Sequence, residues 1–492
     1  MAEQGRKQRR SRRATLLLAF AALAMERADA ALLPAVYREI GAALQASPTA
    51  LGSIALSRSV VQTACYPLAA YLAARHDRLT VIALGAFVWA VATFLIGFST
   101  TFPQMAVTAA LNGVGLALQI PAIYAFVADS VDGASRGTAF GWLTVAGKAG
   151  TVAGTSLGLL MAPTSFLGLP GWRLAFLLLG VLGGAVGVSI RAFATSDAAA
   201  ARGRGGAATP AASLKPVRQE LQEFAREAKA VMRVPSFQVI IAQGLTGSFP
   251  WSALLFTAMW LELVGFSHGE TAALMTLFKA ATSLGALFGG RMGDALARRF
   301  RNSGRIVLSQ ISSGSAIPLA GVLLLALPND ASTTARHGAA LFVLGIMASW
   351  NGSATNSPIL AEIVPPRAMT TVFALDRTFE AVLASFAPPV VGMLAERLYG
   401  YKLPSRSAAG GGVVGVDVET ERHNATSLAR AIYTSVAVPM ALCCAIYSFL
   451  YCTYPRDREM ARAEAARDGG GHGGEGSDSE DEGDGERKLL PQ

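Results

Sequence analysis

The sequence predicts an all-α polytopic membrane protein, with twelve transmembrane helices in two six-helix halves. Three observations lead there. The 492 residues are 52% hydrophobic and 15% charged, with a mean hydropathy of +0.41, whereas soluble chains average about 25% charged. Apolar runs of roughly 20 residues or more, the length at which a helix crosses a bilayer, recur from end to end and leave no room for a soluble domain. A weak internal repeat divides the chain. Ala128-Asp129-Ser130-Val131 is followed by Arg136 and Thr138-Ala139-Phe140; Ala361-Glu362-Ile363-Val364 is followed by Arg367 and Thr371-Val372-Phe373. Acid and base at corresponding helix ends suggest two halves in parallel repeat.

The runs lie at 15–37, 50–73, 80–99, 104–127, 138–162, 172–194, 236–264, 271–290, 305–327, 338–360, 369–394 and 427–452. They organise the chain into a basic N-terminus (1–14), a first half (15–194), a linker (195–235), a second half (236–453) with an outer loop at 395–426, and a tail (454–492). A basic start before an apolar run mimics a signal peptide. This run is too long and carries charges, so it reads as a retained first helix. The linker opens rich in Ala and Gly. It then sets Val217, Leu221, Phe224, Ala228 and Val231 at helical spacing, an amphipathic helix for the membrane surface or the inner ends of the bundle. The Gly-rich acidic tail is expected to be disordered, and Ser477 and Ser479, each followed by an acid, are candidate phosphorylation sites.

Positive charge sorts by side. With the N-terminus inside, the short inner segments carry Arg6, Lys7, Arg9, Arg10, Arg12, Arg13, Arg75, Arg78, Arg136, Arg291, Arg298, Arg299, Arg301, Arg305 and Arg367, and the short outer loops only Arg38, Arg173 and Arg336. Both termini are therefore expected in the cytosol. The same distribution accounts for the net charge of +9 without a nucleic-acid partner. Asn424-Ala425-Thr426, in the outer loop, is a candidate glycosylation sequon. Cys65, Cys443, Cys444 and Cys452 lie in or at the ends of apolar runs and form no Cys-x-x-Cys or disulfide framework. The five histidines are scattered, so neither a metal nor a cofactor is expected. The stretch from Gly141 to Ala149 is one residue too long for a P-loop and lacks Ser or Thr after Lys148, which argues against an ATP-driven pump or an enzyme.

The charges inside the runs pose the functional question. Glu26, Arg27 and Asp29 interrupt the first run. Glu26 falls about 17 Å along that helix, near the bilayer midplane. An unpaired charge there costs at least ~2.5–3.5 kcal/mol, so these residues need partners or a watery cavity. Two readings stand: a structural ion-pair cluster, or a proton-binding site. A carrier needs a carboxyl that is neutral in one state and charged in the other; burial favours the first form and a nearby Arg the second. In the eleventh run, Asp376, Arg377 and Glu380 have the spacing to meet on one helix face, as a gate, a proton relay or a self-satisfied Arg377–Glu380 pair. Arg58, Lys148 and Lys279 are single bases that suit an anionic headgroup, a buried acid or snorkelling, with Lys148 the most central. Tyr124, Trp251, Trp260, Trp350 and Asn356 are candidates for a substrate pocket or for packing.

Gly290-Arg291-Met292-Gly293-Asp294, then Ala297-Arg298-Arg299, resembles the Gly-x-x-x-Asp-Arg-x-Gly-Arg-Arg loop motif of the major facilitator superfamily. The first-half copy has Ala70 and Ala74 where the motif has Gly and Asp, which weakens that lock or moves it to Asp77. The resemblance marks Arg75, Asp77, Arg78, Asp129, Arg136, Gly290, Asp294, Arg298, Glu362 and Arg367 as inner-gate residues. Gly147, Gly150, Gly154 and Gly158 are similar to the superfamily's glycine-rich fifth helix, and Asn112 stands where many members have Arg. LNGVGLALQIPA, SWNGSATNSPILAEIVP and ALDRTFEAVLASFAPPVVG resemble a plant group related to Spinster-type carriers, whose acid–Arg pair in the first helix Glu26-Arg27 matches. The resemblance implies a proton-coupled secondary transporter, with Glu26 as first choice for proton binding. Its partners would be the lipid bilayer, protons and a small-molecule, lysolipid or sugar-like substrate. It would act as a monomer in the plasma or vacuolar membrane. The rivals are a non-transporting receptor or scaffold on a carrier fold, and a proton-independent uniporter.

Overall fold

The computed structural model describes residues 2–130, 136–202, 217–364, 369–403 and 418–470. Nearly everything described is helical. The first half comprises α1 (Ala2–Ala35), α2 (Tyr37–Leu44), α3 (Pro48–Arg75), α4 (Arg78–Phe98), α5 (Phe102–Ser130), α6 (Arg136–Met161) and α7 (Gly171–Arg202). A two-stranded antiparallel hairpin, β1 (Ser165–Phe166) and β2 (Leu169–Pro170), joins α6 to α7. After α8 (Val217–Val231), the second half comprises α9 (Pro235–Ala253), α10 (Thr257–Val264), α11 (His268–Arg299), α12 (Gly304–Gly321), α13 (Thr334–Ala348), α14 (Ser357–Glu362), α15 (Met369–Met393) and α16 (Val418–Tyr447). The chain then continues as α17 (Leu450–Gly470).

Among the described residues, 8 helical segments are long and apolar enough to cross a membrane by length and composition. The remaining expected runs fall in α1, α3, α6 and the α13–α14 region, which are also helical. Each has a physical reason for lower hydropathy. Glu26, Arg27 and Asp29 interrupt α1; Arg58 and hydroxyl residues dilute α3; Lys148 and a run of glycines dilute α6. The α13–α14 region is broken after Ala348 and passes through a wide helical turn at Gly352–Asn356. Helix ends also overrun the expected boundaries. α1 starts at Ala2, α7 reaches Arg202 and α16 starts at Val418 inside the expected loop. Those flanks are rich in Ala, Arg, Glu and Gln, all strong helix formers.

Within the first half, α1 packs on α6 and α7, α4 on α5 and α7, and α3 on α5. Within the second half, α9 packs on α15 and α16, α11 on α13, and α12 on α16. Glycine sets the closest approach: Gly150 and Gly154 of α6 lie directly on the backbone of Ala24 and Ala28 in α1. Small residues let helix backbones touch where the surrounding lipid offers no hydrophobic drive for association.

The two halves meet through α3 with α15 and α6 with α11. Their polar contacts cluster at the distal end, opposite the chain termini. There Arg38 of α2 bonds Glu421 at 2.5 Å and the Glu262 carbonyl at 3.4 Å. The Thr49 amide donates to Glu396 at 2.7 Å. The Tyr37 and Phe256 rings lie 5.2 Å apart, and Gly52 abuts the Pro388–Pro389 backbone. His268 of the second half also approaches Glu39 of the first to 3.9 Å at this end. These contacts seal the halves together at the distal end.

Candidate functional site

The period of α1 sorts its charged residues. Arg27, Ala30, Ala31 and Pro34 fall on one stripe, while Glu26, Asp29 and Leu33 fall on another. The first stripe lines a cavity of about 150 Å³ between the halves; the second is buried inside the first half. The cavity wall continues with Thr151 and Thr155 of α6, with Trp251, Leu254 and Ala258 from the α9–α10 segment, and with Met275 and Lys279 of α11. α9 and α10 are distinct because a tight 3₁₀ turn at Leu254–Phe256 follows Pro250. Proline removes a backbone donor and breaks the regular ladder.

The Arg27 Nε lies 3.2 Å from Glu26 Oε2, and the two side chains are 41% and 3% exposed. The guanidinium faces the cavity while its carboxylate stays behind the wall. Asp29 sits deeper. It accepts from Thr93 Oγ1 and Asn112 Nδ2, both at 3.0 Å, and pairs with Arg58 Nη1 at 3.4 Å. Asn112 Nδ2 also donates to Thr93 Oγ1 at 2.9 Å. One buried carboxylate thus joins α1, α3, α4 and α5. Lys148 is exposed on α6, one helical turn before Thr151, and is not part of the cavity lining. Arg27 and Lys279 therefore face each other across the cavity with Glu26 as the adjacent acid, so the wall carries excess positive charge.

The family model described as Major Facilitator Superfamily matches residues 15–401. The chain belongs to the Major Facilitator Superfamily. Membership places it among membrane transporters rather than enzymes. Multidrug resistance protein 1 of Bacillus subtilis (strain 168) is 28% identical over 119 residues, 24% of this chain and 31% of that relative. A bacterial homolog to the human lysosomal transporter Spinster, in inward-facing and occupied form, has a similar fold, with a TM-score of 0.74 at 18% identity over 91% of this chain and 98% of that one. Its unoccupied form gives 0.73 with the same identity and coverage. A D-xylose–proton symporter gives 0.60 at 14% identity over 87% and 96% of the two chains.

The superfamily loop motif of the second half builds a charge network within that half. Arg305 pairs with Asp294 at 2.9 Å and donates to the Ala354 carbonyl at 2.9 Å. Glu362 lies 3.9 Å from Arg305 Nε and 2.9 Å from Arg458 Nε, and it accepts from the Tyr454 hydroxyl at 2.6 Å. Gly290 faces Ser353, and Arg298 is exposed at the end of α11. In the first half, Asp77 caps α4 through the Thr80 amide at 3.3 Å, and Arg78 donates to the Ala125 carbonyl at 2.7 Å. Of Arg75, Asp129 and Arg136 only the backbone is described; Arg367, Ser477 and Ser479 lie outside the described residues.

The other expected residues are dispersed. Asp376 is 2% exposed, with a carboxyl oxygen that finds no hydrogen-bond partner. Arg377 turns away from it to pair with Glu380 at 3.0 Å. Tyr124 stacks on Phe140 at 6.2 Å. Trp350 packs against Phe288 and Trp260 against His337, and Asn356 accepts from the Tyr447 hydroxyl at 2.8 Å. Asn112 lies behind the cavity wall in the Asp29 network. Asn424 is buried, with both amide atoms bonded to the backbone of Lys402 at 2.8 Å.

Sequence reasoning did not single out Glu39, Glu262 or His268, which meet at the distal seal. Burial together with the neighbouring Glu262 charge pushes the Glu39 carboxyl up to about 7. The available signal was Glu262, the lone acid of run 236–264. Arg458 and Arg305 were also passed over as partners of Glu362, because 96 and 57 residues separate them from it in sequence.

Proposed function

We propose that this chain is a proton-coupled, alternating-access carrier for an amphipathic solute with an anionic group. The observation that carries the reading is the inter-half cavity, where Arg27 and Lys279 stand beside Trp251, Leu254 and Met275. Cations next to apolar walls suit an acidic head joined to an apolar body. A cavity built from both halves is where rocking exposes a solute to each side in turn. Three kinds of carrier among the structural neighbours, a lysosomal transporter homolog, a sugar–proton symporter and a nucleoside transporter, support a carrier of small solutes. With both termini in the cytosol, as the basic residues imply, the sealed distal end faces away from the cytosol. A multi-pass protein of the plasma or vacuolar membrane fits this reading.

Glu26 is the proposed proton-binding group, because it is buried and its one ion-pair partner faces the cavity. An anionic solute that draws Arg27 away leaves Glu26 better off protonated. The test is uptake into proteoliposomes from a panel of lysophospholipids, sugars and organic anions, with and without an inward proton gradient. Lys279→Gln is expected to reduce anion uptake about tenfold or more, the value of one charged hydrogen bond of about 1.5–3 kcal/mol. Glu26→Gln is expected to leave uptake that ignores the gradient. Gradient-driven uptake intact in Glu26→Gln would remove Glu26 from the mechanism. Uptake of wild type that never responds to the gradient would make the protein a uniporter, and no uptake of any panel member would favour a receptor.

A further inference from the structure

The distal seal holds a charged cluster that the transport cavity does not use. Glu39 lies on α2 in the first half; Glu262 is in α10 and His268 opens α11 in the second. His268 Nδ1 is 2.6 Å from Glu262 Oε1 and 3.9 Å from Glu39 Oε1. One donor atom from each residue lies within 4.8 Å of the other two. A second observation is independent of that spacing. Glu262 is 1% exposed, and the Oε2 atoms of Glu262 and Glu39 are both buried with no hydrogen-bond partner. Buried carboxylate lone pairs that meet no donor lack a positive partner. The adjacent guanidinium does not serve, since Arg38 is committed to Glu421 and to the Glu262 carbonyl. Two carboxylates are left facing one imidazole.

We propose that Glu39, Glu262 and His268 form a site for a divalent transition cation that bridges the two halves at their distal end. The donor set selects the class. One imidazole with two carboxylates suits Zn²⁺ and its neighbours, whereas Mg²⁺ and Ca²⁺ prefer oxygen alone. Three protein ligands leave a fourth position for water. The proton in the His268–Glu262 hydrogen bond stands where the cation would sit, so binding releases it. Because one ligand comes from the first half and two from the second, the bound ion ties the halves together. Opening the distal end parts the ligands, so the cation favours the sealed state through its difference in affinity for the two.

This inference is independent of what the central cavity carries. It is tested on the full chain in phosphatidylcholine nanodiscs, with Zn²⁺ alone as the probe, by equilibrium dialysis and thermal melting. Wild type is expected to bind Zn²⁺ saturably and to melt higher with it, with no competition from Mg²⁺. Glu39→Gln and His268→Asn are expected to weaken binding at least about 100-fold, the upper range for losing a group that merely supports a metal ligand. Both positions are partly exposed, so melting without Zn²⁺ separates ligand loss from misfolding. Glu396→Gln alters the Thr49 contact at the same seal, leaves Arg38 on Glu421 and spares all three ligands, and is expected to bind like wild type. Absence of saturable binding in wild type, or equal affinity in the two ligand variants, overturns the proposal.

Discussion

Gly154→Leu is expected to prevent assembly of the first half, giving no monodisperse folded protein in detergent. A side chain at this position meets the carbonyl oxygen, carbonyl carbon and Cα of Ala28. These are backbone atoms, so no rotamer change relieves the clash and α1 must move off α6. Overpacking a core in which side chains can shift already costs about 1–3 kcal/mol, and here the cost exceeds that range. The displacement also moves Arg27 away from Thr151 and Thr155, so the cavity wall opens with it. Gly147→Ala is the control, since its nearest neighbour is the Arg27 side chain at 3.5 Å. Size-exclusion profiles and thermal melting compare the two. A Gly154→Leu protein that melts like wild type would show that α1 and α6 do not need this close contact.

Asp29→Ala is expected to destabilise the protein by about 3–5 kcal/mol, the cost of removing one partner from a buried ion pair. Arg58, whose side chain is 13% exposed, then loses its carboxylate, and Asn112 and Thr93 lose a shared acceptor. Asp29→Asn keeps the shape and one carbonyl acceptor, so its loss is expected to be smaller. The pair of variants separates two roles that α1 offers. Asp29 is saturated by three partners on three other helices, while Glu26 has Arg27 alone. Melting temperatures of the two variants, set beside gradient-driven uptake by Asp29→Asn, distinguish a structural hub from a proton carrier. A melting curve unchanged in Asp29→Ala would contradict the hub.

Much of the helical architecture was legible because membrane burial leaves long apolar runs, and α4 and α5 follow theirs closely. The glycine spacing in α6 already announced close packing, since glycine at four-residue intervals lies along one helix face. The centre of the site was partly legible for a related reason: a charge in an apolar run is costly enough to demand an explanation. That reasoning found Glu26, Arg27 and Asp29 without distinguishing them. The helical phase then set Arg27 towards the cavity and Asp29 against Arg58, Thr93 and Asn112.

Composition and pattern by themselves determined that this chain is helical, built for a membrane and divided into two halves, because hydropathy and charge sidedness are summed along the chain. Only the tertiary structure decided which charges share a space. Lys279 and Arg27, 252 residues apart, line one cavity, and Glu39, Glu262 and His268 converge from both halves at the distal end. Such meetings depend on how helices cross and on which face each one turns inward. No local run of residues encodes that geometry.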